Sequence, residues 1–391
     1  MTGTETYDAV VVGASFAGLA AAGQLAGAGR VLLADREPVG AGETSACGTL
    51  LAVLERLDAG DALEQVHPEV VINVAGLRVA FDTAYPFATF DYRTLCEILA
   101  ARLDGVEVAV APFKGVEPGG ALLLGDRRVR AEVVIDASGW RRVLARALGA
   151  APADRGHLST GVETRHHHGG RDLEFWFRPP ERPDGVHWAF PAGDHVREGS
   201  ASYAGKAKGL REDLAHFEHL DAFPARAVHG GWFPAHLGDP AASRAFVVGD
   251  AAGQCLPLTG EGIRPALVFG QAAGREARTV LEGTQSLGGA LARYRATVER
   301  SRLAYRALEH FQDWAVRLPV PVVAPVVRGC AWGPLSRRLQ AIYWAVADPD
   351  TLEVSPGTRA VTKLPGRQGV TGAAVEERRG AIDSNEEAAS A

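Results

Sequence analysis

Apolar positions fall in short unbroken runs at the start of the chain. Ala9–Val12 and Val31–Ala34 are two such runs. Between them lie a turn, Gly13–Gly18, and a run of small and apolar residues, Leu19–Ala28, with Gly29 at its C-terminal end. The pattern predicts a strand, a helix and a second strand over residues 8–35. Strands without polar alternation suit a parallel sheet covered on both faces. The period then changes. Residues 36–60 read as a Gly/Ser/Thr-rich loop leading into a helix. Over 69–90, Val71, Ile72, Val74, Leu77, Val79 and Phe81 predict antiparallel strands. Tyr92–Leu103 reads as a helix. Residues 106–133 read as hairpins that turn at Gly119-Gly120 and Gly125-Asp126, with a buried strand at Val133–Ile135.

The second half repeats both patterns. Gly161–Arg165, Leu173–Arg178, Val186–Pro191 and Gly199–Tyr203 are short strands separated by Pro, Asp and Gly, which predicts an antiparallel sheet. Ala245–Val248 returns to an unbroken apolar strand, with a helix expected from about Gly262 and helical periodicity over 287–316. Leu318–Val327 contains three prolines, which argue against a regular helix there. This stretch, flanked by Arg317 and Arg328, reads either as a packed cap or as a surface that touches a membrane. From Gly366 the chain is polar and acidic, and a disordered tail is expected over 366–391.

Composition narrows the function. The 391 residues carry 41 Lys+Arg against 47 Asp+Glu, a net charge of −6, which disfavours a nucleic-acid binder. The cysteines, Cys47, Cys96, Cys255 and Cys330, are scattered without a CxxC pair, so a zinc ribbon or a disulfide-stapled fold is not expected. Residues 1–8 hold Glu5 and Asp8 and no Lys or Arg, unlike the basic start of a signal peptide. No transmembrane segment is expected, since none offers the ~20 strongly apolar residues a spanning helix needs. The sequence predicts a cytoplasmic protein, with peripheral contact to a membrane left open.

Three segments carry candidate chemistry. The first is Gly13-Ala14-Ser15-Phe16-Ala17-Gly18 between a strand and a helix, followed by Asp35 at the end of the next strand. The spacing is that of a dinucleotide-binding turn, with Ser15 where the central glycine usually stands. A helix N-terminus there offers N–H groups to phosphates, and Asp35 is placed to take a ribose hydroxyl. The second segment is the strand 244–248 ending in Gly249-Asp250, with Pro257-Leu-Thr-Gly-Glu-Gly262 and Ile263 downstream. The third is Val186-His-Trp-Ala-Phe-Pro191, followed by Gly199.

In Gly13–Gly18 with Asp35, Asp136-Ala-Ser-Gly139, and Gly249-Asp-Ala-Ala-Gly253 with Pro257 and Thr259–Gly262, the chain resembles the FAD-dependent oxidoreductases of the geranylgeranyl reductase family. These are related to aromatic hydroxylases and flavin-dependent halogenases. The resemblance spans residues 8–275. It implies an α/β fold with a Rossmann-like FAD-binding domain built from 1–70, 90–155 and 240–285. An antiparallel sheet for substrate, from 71–89 and 156–239, is inserted in it, and a helical C-terminal region follows over 286–365. It implies that Gly13, Ser15, Phe16, Ala17, Gly18, Asp35 and Arg36 hold the adenosine diphosphate half. Asp250, after Gly249, would contact the ribityl or pyrophosphate part. Gly260, Gly262 and Ile263 would lie at the flavin ring, with the glycine N–H groups facing it. Arg93 stands roughly where the family carries an FAD-contacting arginine; a plain surface residue at a helix start is the competing reading.

The family's Tyr-x-Trp-x-Phe-Pro-Lys stretch is retained here as Trp188, Phe190 and Pro191, with Val186 and Ala192 replacing its two polar ends. The three residues read as a substrate-cavity wall or as an ordinary apolar sheet face. Halogenases carry Trp-x-Trp-x-Ile-Pro and an early lysine; Val186 replaces the first Trp, and the first lysine is Lys114. Cys47 reads as a proton donor beside the flavin or as an inert buried thiol, and Cys255 as a second thiol near the ring. His166-His-His168 alternates across a strand and does not converge on one metal ion, so no metal is expected. His187 and His229 are acid–base candidates without a visible partner. The implied activity is reduction of carbon–carbon double bonds in an isoprenoid by FAD, with NAD(P)H as a transient donor. The alternative is a flavin-dependent monooxygenase or halogenase-like tailoring enzyme acting on an apolar small molecule.

Overall fold

The computed structural model describes residues 3–43, 46–167, 172–217 and 228–354. The expected tail and His168 lie outside them. The chain opens with β1 (Glu5–Val12), α1 (Phe16–Leu25), β2 (Val31–Asp35), β3 (Gly48–Leu50), α2 (Leu51–Arg56), β4 (Leu63–Val74), β5 (Leu77–Phe90) and α3 (Tyr92–Ala100). Next come β6 (Val106–Val110), β7 (Phe113–Val116), β8 (Leu122–Leu124), β9 (Arg127–Asp136) and α4 (Val143–Ala147). The second sheet is completed by β10 (Leu158–His166), β11 (Leu173–Phe177), β12 (Gly185–Ala192), β13 (His195–Ser202) and β14 (His229–Pro234), with α5 (Leu210–Phe217) before β14. The chain then returns to the first sheet in β15 (Ala241–Ala242) and β16 (Ala245–Val247). It ends in α6 (Ile263–Leu281), α7 (Leu287–Glu299), α8 (Arg302–Arg317), α9 (Val320–Cys330) and α10 (Gly333–Trp344).

The first sheet runs β15-β16-β9-β1-β2-β6. Strands β16, β9, β1, β2 and β6 are parallel, as the unbroken apolar runs predict. Its faces are both buried. Ala9 and Val11 join the core formed with α1 and α6, while Tyr7, Val10 and Val12 join the core on the other face. Register aligns Val12 with Ala34 and Asp136, and Asp136 with Val247. Parallel strands therefore bring Gly13, Asp35, Asp136 and Gly249 to one edge. Helices α1 and α6 cross closely at Gly270 and Gly274, where an added Cβ would stand 2.5 Å from the Ala17 and Ala21 carbonyl oxygens.

The second sheet runs β14-β10-β13-β12-β11-β4-β5-β3, antiparallel except for β11 beside β4. Its β4–β5 hairpin begins at Leu63, before the 69–90 span expected, and ends with it at Phe90. Two helical expectations are corrected. Helix α1 starts at Phe16, not Leu19, because Ser15 already takes extended N-cap geometry and its carbonyl accepts the Leu19 N–H. Residues 320–330 form helix α9 despite the prolines. Pro321 sits in the first turn, where no intrahelical N–H bond is required, and Pro325 removes only one interior bond.

Candidate active site

The Gly13–Gly18 turn is built by close approach. Gly13 has φ +110°, and a Cβ on it would stand 2.2 Å from the Ala137 carbonyl oxygen; on Gly18 it would stand 1.8 Å from the Gly13 oxygen. Ser15 makes no side-chain cap to α1, so the first N–H groups of that helix keep their capacity for an anion. Ser15 Oγ instead meets Tyr92 Oη at 3.1 Å, and Phe16 packs edge-on against Tyr92 and Phe90. Ala17 touches the turn after β16: a Cβ on Gly249 would meet the Ala17 Cβ at 2.9 Å. Asp35 accepts the Ala14 N–H at 2.6 Å and the Glu37 N–H at 3.1 Å, so its carboxylate ties the turn to the end of β2. Arg36 is exposed and pairs with Glu37 at 3.5 Å. Arg93 is also exposed, and its Cγ would lie 3.1 Å from a Cβ on Gly40, which sets it over the loop leaving β2.

At the same edge, Asp136 accepts the Ser138 N–H at 3.0 Å and the Ala145 N–H at 2.7 Å. Burial raises its pKa, which these bonds oppose. The Gly249 N–H donates to Gln254 Oε1 at 2.6 Å, and Gln254 Nε2 donates to Tyr294 Oη at 3.0 Å. Burial pushes Asp250 up to about 6. A Cβ on Gly262 would lie 3.6 Å from Cys255 Sγ and 3.8 Å from Asp250 Oδ1, so these three groups share one wall. Ile263 begins α6 and is buried. The 257–262 loop is held from outside: Leu258 N–H donates to Gln312 Oε1 at 2.6 Å, and Tyr203 Oη donates to the Leu258 oxygen at 2.6 Å. One expectation fails here. The Gly260 N–H closes a turn onto the Leu256 oxygen at 3.1 Å instead of facing outward.

Cys47 ends the loop after β2, fully buried and with φ +51°. Its Sγ donates to Glu43 Oε1 at 3.6 Å. Burial raises the thiol well above its ordinary pKa, although Arg197 acts against the rise. Arg197 is 0 % exposed and central to a charged cluster that sequence reading missed. Its guanidinium lies 2.5 Å from Glu43, 3.6 Å from Glu64 and 3.7 Å from Glu163. Arg165 also pairs with Glu43. Burial works to raise the Glu43 pKa, but Arg197 and Arg165 hold it below the ordinary value.

Glu163 Oε2 accepts the Trp188 indole N–H at 2.9 Å, and His229 Nε2 stands 3.3 Å from Glu163. Trp188 lies flat on Gly199, where a Cβ would sit 2.0 Å from the indole. Phe190 packs edge-on against Phe175 and Phe87, and both Phe87 and Phe190 press on Gly48, next to Cys47. Pro191 is buried, and its carbonyl accepts from His67 at 3.0 Å and Thr89 at 2.7 Å. His187 points to the opposite face, stacked on Phe217, and burial lowers it to about 4. The aromatic wall and Cys47 are thus brought together, and His187 is kept away from them.

No family model matches the chain. It is 28% identical over 328 residues to digeranylgeranylglycerophospholipid reductase 1 of Methanopyrus kandleri, covering 74% of this chain and 84% of that protein. The fold is similar to a geranylgeranyl bacteriochlorophyll reductase-like protein from Thermoplasma acidophilum, with a TM-score of 0.77 at 19% identity over 89% of this chain and 98% of that one. It is also similar to PqsL of Pseudomonas aeruginosa, a probable FAD-dependent monooxygenase, with a TM-score of 0.62 at 18% identity over 80% and 96%. These matches bear out the family resemblance read from the sequence.

Proposed function

We propose that the protein is an FAD-dependent oxidoreductase that saturates carbon–carbon double bonds of an isoprenoid chain. The observation that carries this reading is Cys47, a buried thiol kept protonated and flanked by Gly48 under the aromatic wall of Phe87 and Phe190. The residues fit FAD. The uncapped start of α1 and the Gly13–Gly18 turn take the pyrophosphate, and the lone pairs left on Asp35 take ribose hydroxyls. Arg36 and Arg93 would flank that half, Asp250 would contact the ribityl chain, and Gly262 with Ile263 would border the ring.

When bound and reduced, FAD would supply hydride for one alkene carbon. The Cys47 S–H gives its proton to the other, so the π bond is exchanged for two C–H bonds. The thiolate left behind is offset by the Arg197 charge. Trp188, Phe190 and Phe87 exclude water from the apolar chain. The electrons would come from NAD(P)H bound transiently, as the sequence carries no second dinucleotide turn.

The C-terminal helices support a lipid substrate. Leu303, Trp314, Trp332, Leu339 and Ile342 are exposed, and residues 314–347 contain four arginines and no acidic residue. These exposed apolar residues and arginines suit peripheral contact with an anionic lipid surface from the cytoplasmic side. Among the described residues no helix is long and apolar enough to cross a membrane.

The test is anaerobic incubation of the reduced, FAD-loaded protein with a geranylgeranyl-bearing phospholipid, read by mass spectrometry as two hydrogens gained per bond. Val186 and Ala192, which remove both polar ends of the family's wall stretch, favour a second reading: monooxygenation of a smaller apolar compound. Oxygen mixed with the reduced protein separates the two. A transient absorbing species distinct from oxidised and reduced flavin, with no lipid product, favours oxygenation.

A further inference from the structure

We propose that His157, His236 and Glu309 form a site for a divalent transition metal, Zn²⁺ in the first instance, that fastens α8 to the edge of the second sheet. The three residues come from distant parts of the chain: just before β10, just after β14, and midway along α8. Glu309 Oε1 stands 3.2 Å from His157 Nε2 and 3.0 Å from His236 Nδ1. One ligand atom from each residue lies within 4.8 Å of the other two. Bonds of about 2.0–2.1 Å around a tetrahedral zinc set neighbouring ligand atoms roughly 3.3 Å apart. Both carboxylate contacts are already within a few tenths of an ångström of that spacing.

A second carboxylate beside His157 suits a metal. Asp154 Oδ2 lies 3.0 Å from His157 Nδ1, so a metal bound at Nε2 would leave the ring proton on Nδ1 with a carboxylate to accept it. Asp154 is itself fixed by the Gly156 N–H at 2.9 Å. A carboxylate that orients a metal-binding imidazole through its far nitrogen is the usual outer-shell support of zinc sites. The two imidazoles stack with ring centroids 4.6 Å apart, which sets both rings beside the same carboxylate. A bound metal takes the neutral lone pairs and the carboxylate charge together. Two imidazoles and one carboxylate suit Zn²⁺ or Co²⁺ better than Mg²⁺. The histidine side chains are 43% and 45% exposed, which leaves room for a water as fourth ligand.

The site bears on the loop at the flavin side. On α8, Tyr305 Oη donates to the Gln254 oxygen at 2.7 Å and Gln312 accepts the Leu258 N–H at 2.6 Å. Glu309 stands between these two anchors on the helix. A metal at Glu309 would therefore hold the helix that holds residues 254–258. This inference does not depend on the proposed reaction.

The test uses tag-free, full-length, chelator-stripped protein titrated with ZnCl₂ by calorimetry and by thermal unfolding. The expected result is one saturable equivalent and a raised Tm, with no response to MgCl₂. H157A, H236A and E309Q should lose saturable binding while keeping the far-UV spectrum of the metal-free parent. D154N should bind about 10–100-fold more weakly, as an outer-shell loss does. No saturable binding by the parent would overturn the proposal. So would equal binding by the parent and H157A, which would assign the zinc to another site such as the histidine run at 166–168.

Discussion

Replacing Arg197 by methionine should unfold the second sheet in a manner that depends steeply on pH. The guanidinium is fully buried and faces Glu43 at 2.5 Å, Glu64 at 3.6 Å and Glu163 at 3.7 Å. Methionine fills much of the same volume but leaves these carboxylates without that charge. Breaking a buried pair by removing one partner costs about 3–5 kcal/mol. In the parent, the Glu43 pKa is held below its unfolded value, so Glu43 stabilises the fold above the unfolded pKa and loses this contribution as pH falls through the folded one. In R197M only Arg165 and His229 still oppose burial at Glu43, and the folded pKa rises. The variant therefore loses less of the Glu43 contribution than the parent as pH falls, and the deficit shrinks on acidification. Urea unfolding followed by fluorescence at pH 7.5 and pH 5 should show the full loss at the first pH and a smaller one at the second. A deficit below about 1 kcal/mol, or one equal at both pH values, would refute the view that Arg197 neutralises buried carboxylates.

Other consequences are as direct. G18A forces a Cβ to 1.8 Å from the Gly13 oxygen, so the purified protein should retain no FAD by absorbance. Q254L strips the acceptor from the buried Gly249 N–H; it should cost about 1–3 kcal/mol in urea unfolding and lower the flavin content. His67 and His187 are both lowered to about 4 by burial, so the unfolded chain binds more protons between pH 6.5 and 4. Stability should fall across that window by up to about 1.4 kcal/mol per pH unit for each histidine, and H67Q/H187F should flatten the slope. W332A/I342A should reduce co-sedimentation with anionic vesicles and leave FAD binding unchanged.

Much of the scaffold was legible because its signals are local. Gly13, Asp35 and Gly249 each follow an apolar strand, and a parallel sheet necessarily gathers strand ends at one edge. The charged cluster was not legible. Glu43, Glu64, Glu163 and Arg197 look like ordinary polar residues in sequence; the pairing of β10 with β13 brings Glu163 near Arg197, while Glu43 comes from the loop after β2 and Glu64 from β4. The same holds for His157, His236 and Glu309, whose separation in sequence hides any ligand spacing. Helix α9 was misjudged because proline was weighed without its position in the turn. Gly260 was misjudged because a glycine before a helix indicates a tight backbone, not the direction in which its N–H points.

The order of strands in the first sheet also determines when the molecule can be completed. Strand β1 is the first to be synthesised, yet it pairs with β9, which ends at Asp136, and β9 in turn waits for β16 at Ala245–Val247. Contacts this remote in sequence raise contact order and slow folding. A nascent chain ending before residue 245 exposes the bare C-terminal edge of β9 and lacks Asp250. Cofactor capture is therefore a late event, and premature termination within the second sheet yields a species with an open strand edge, prone to aggregate.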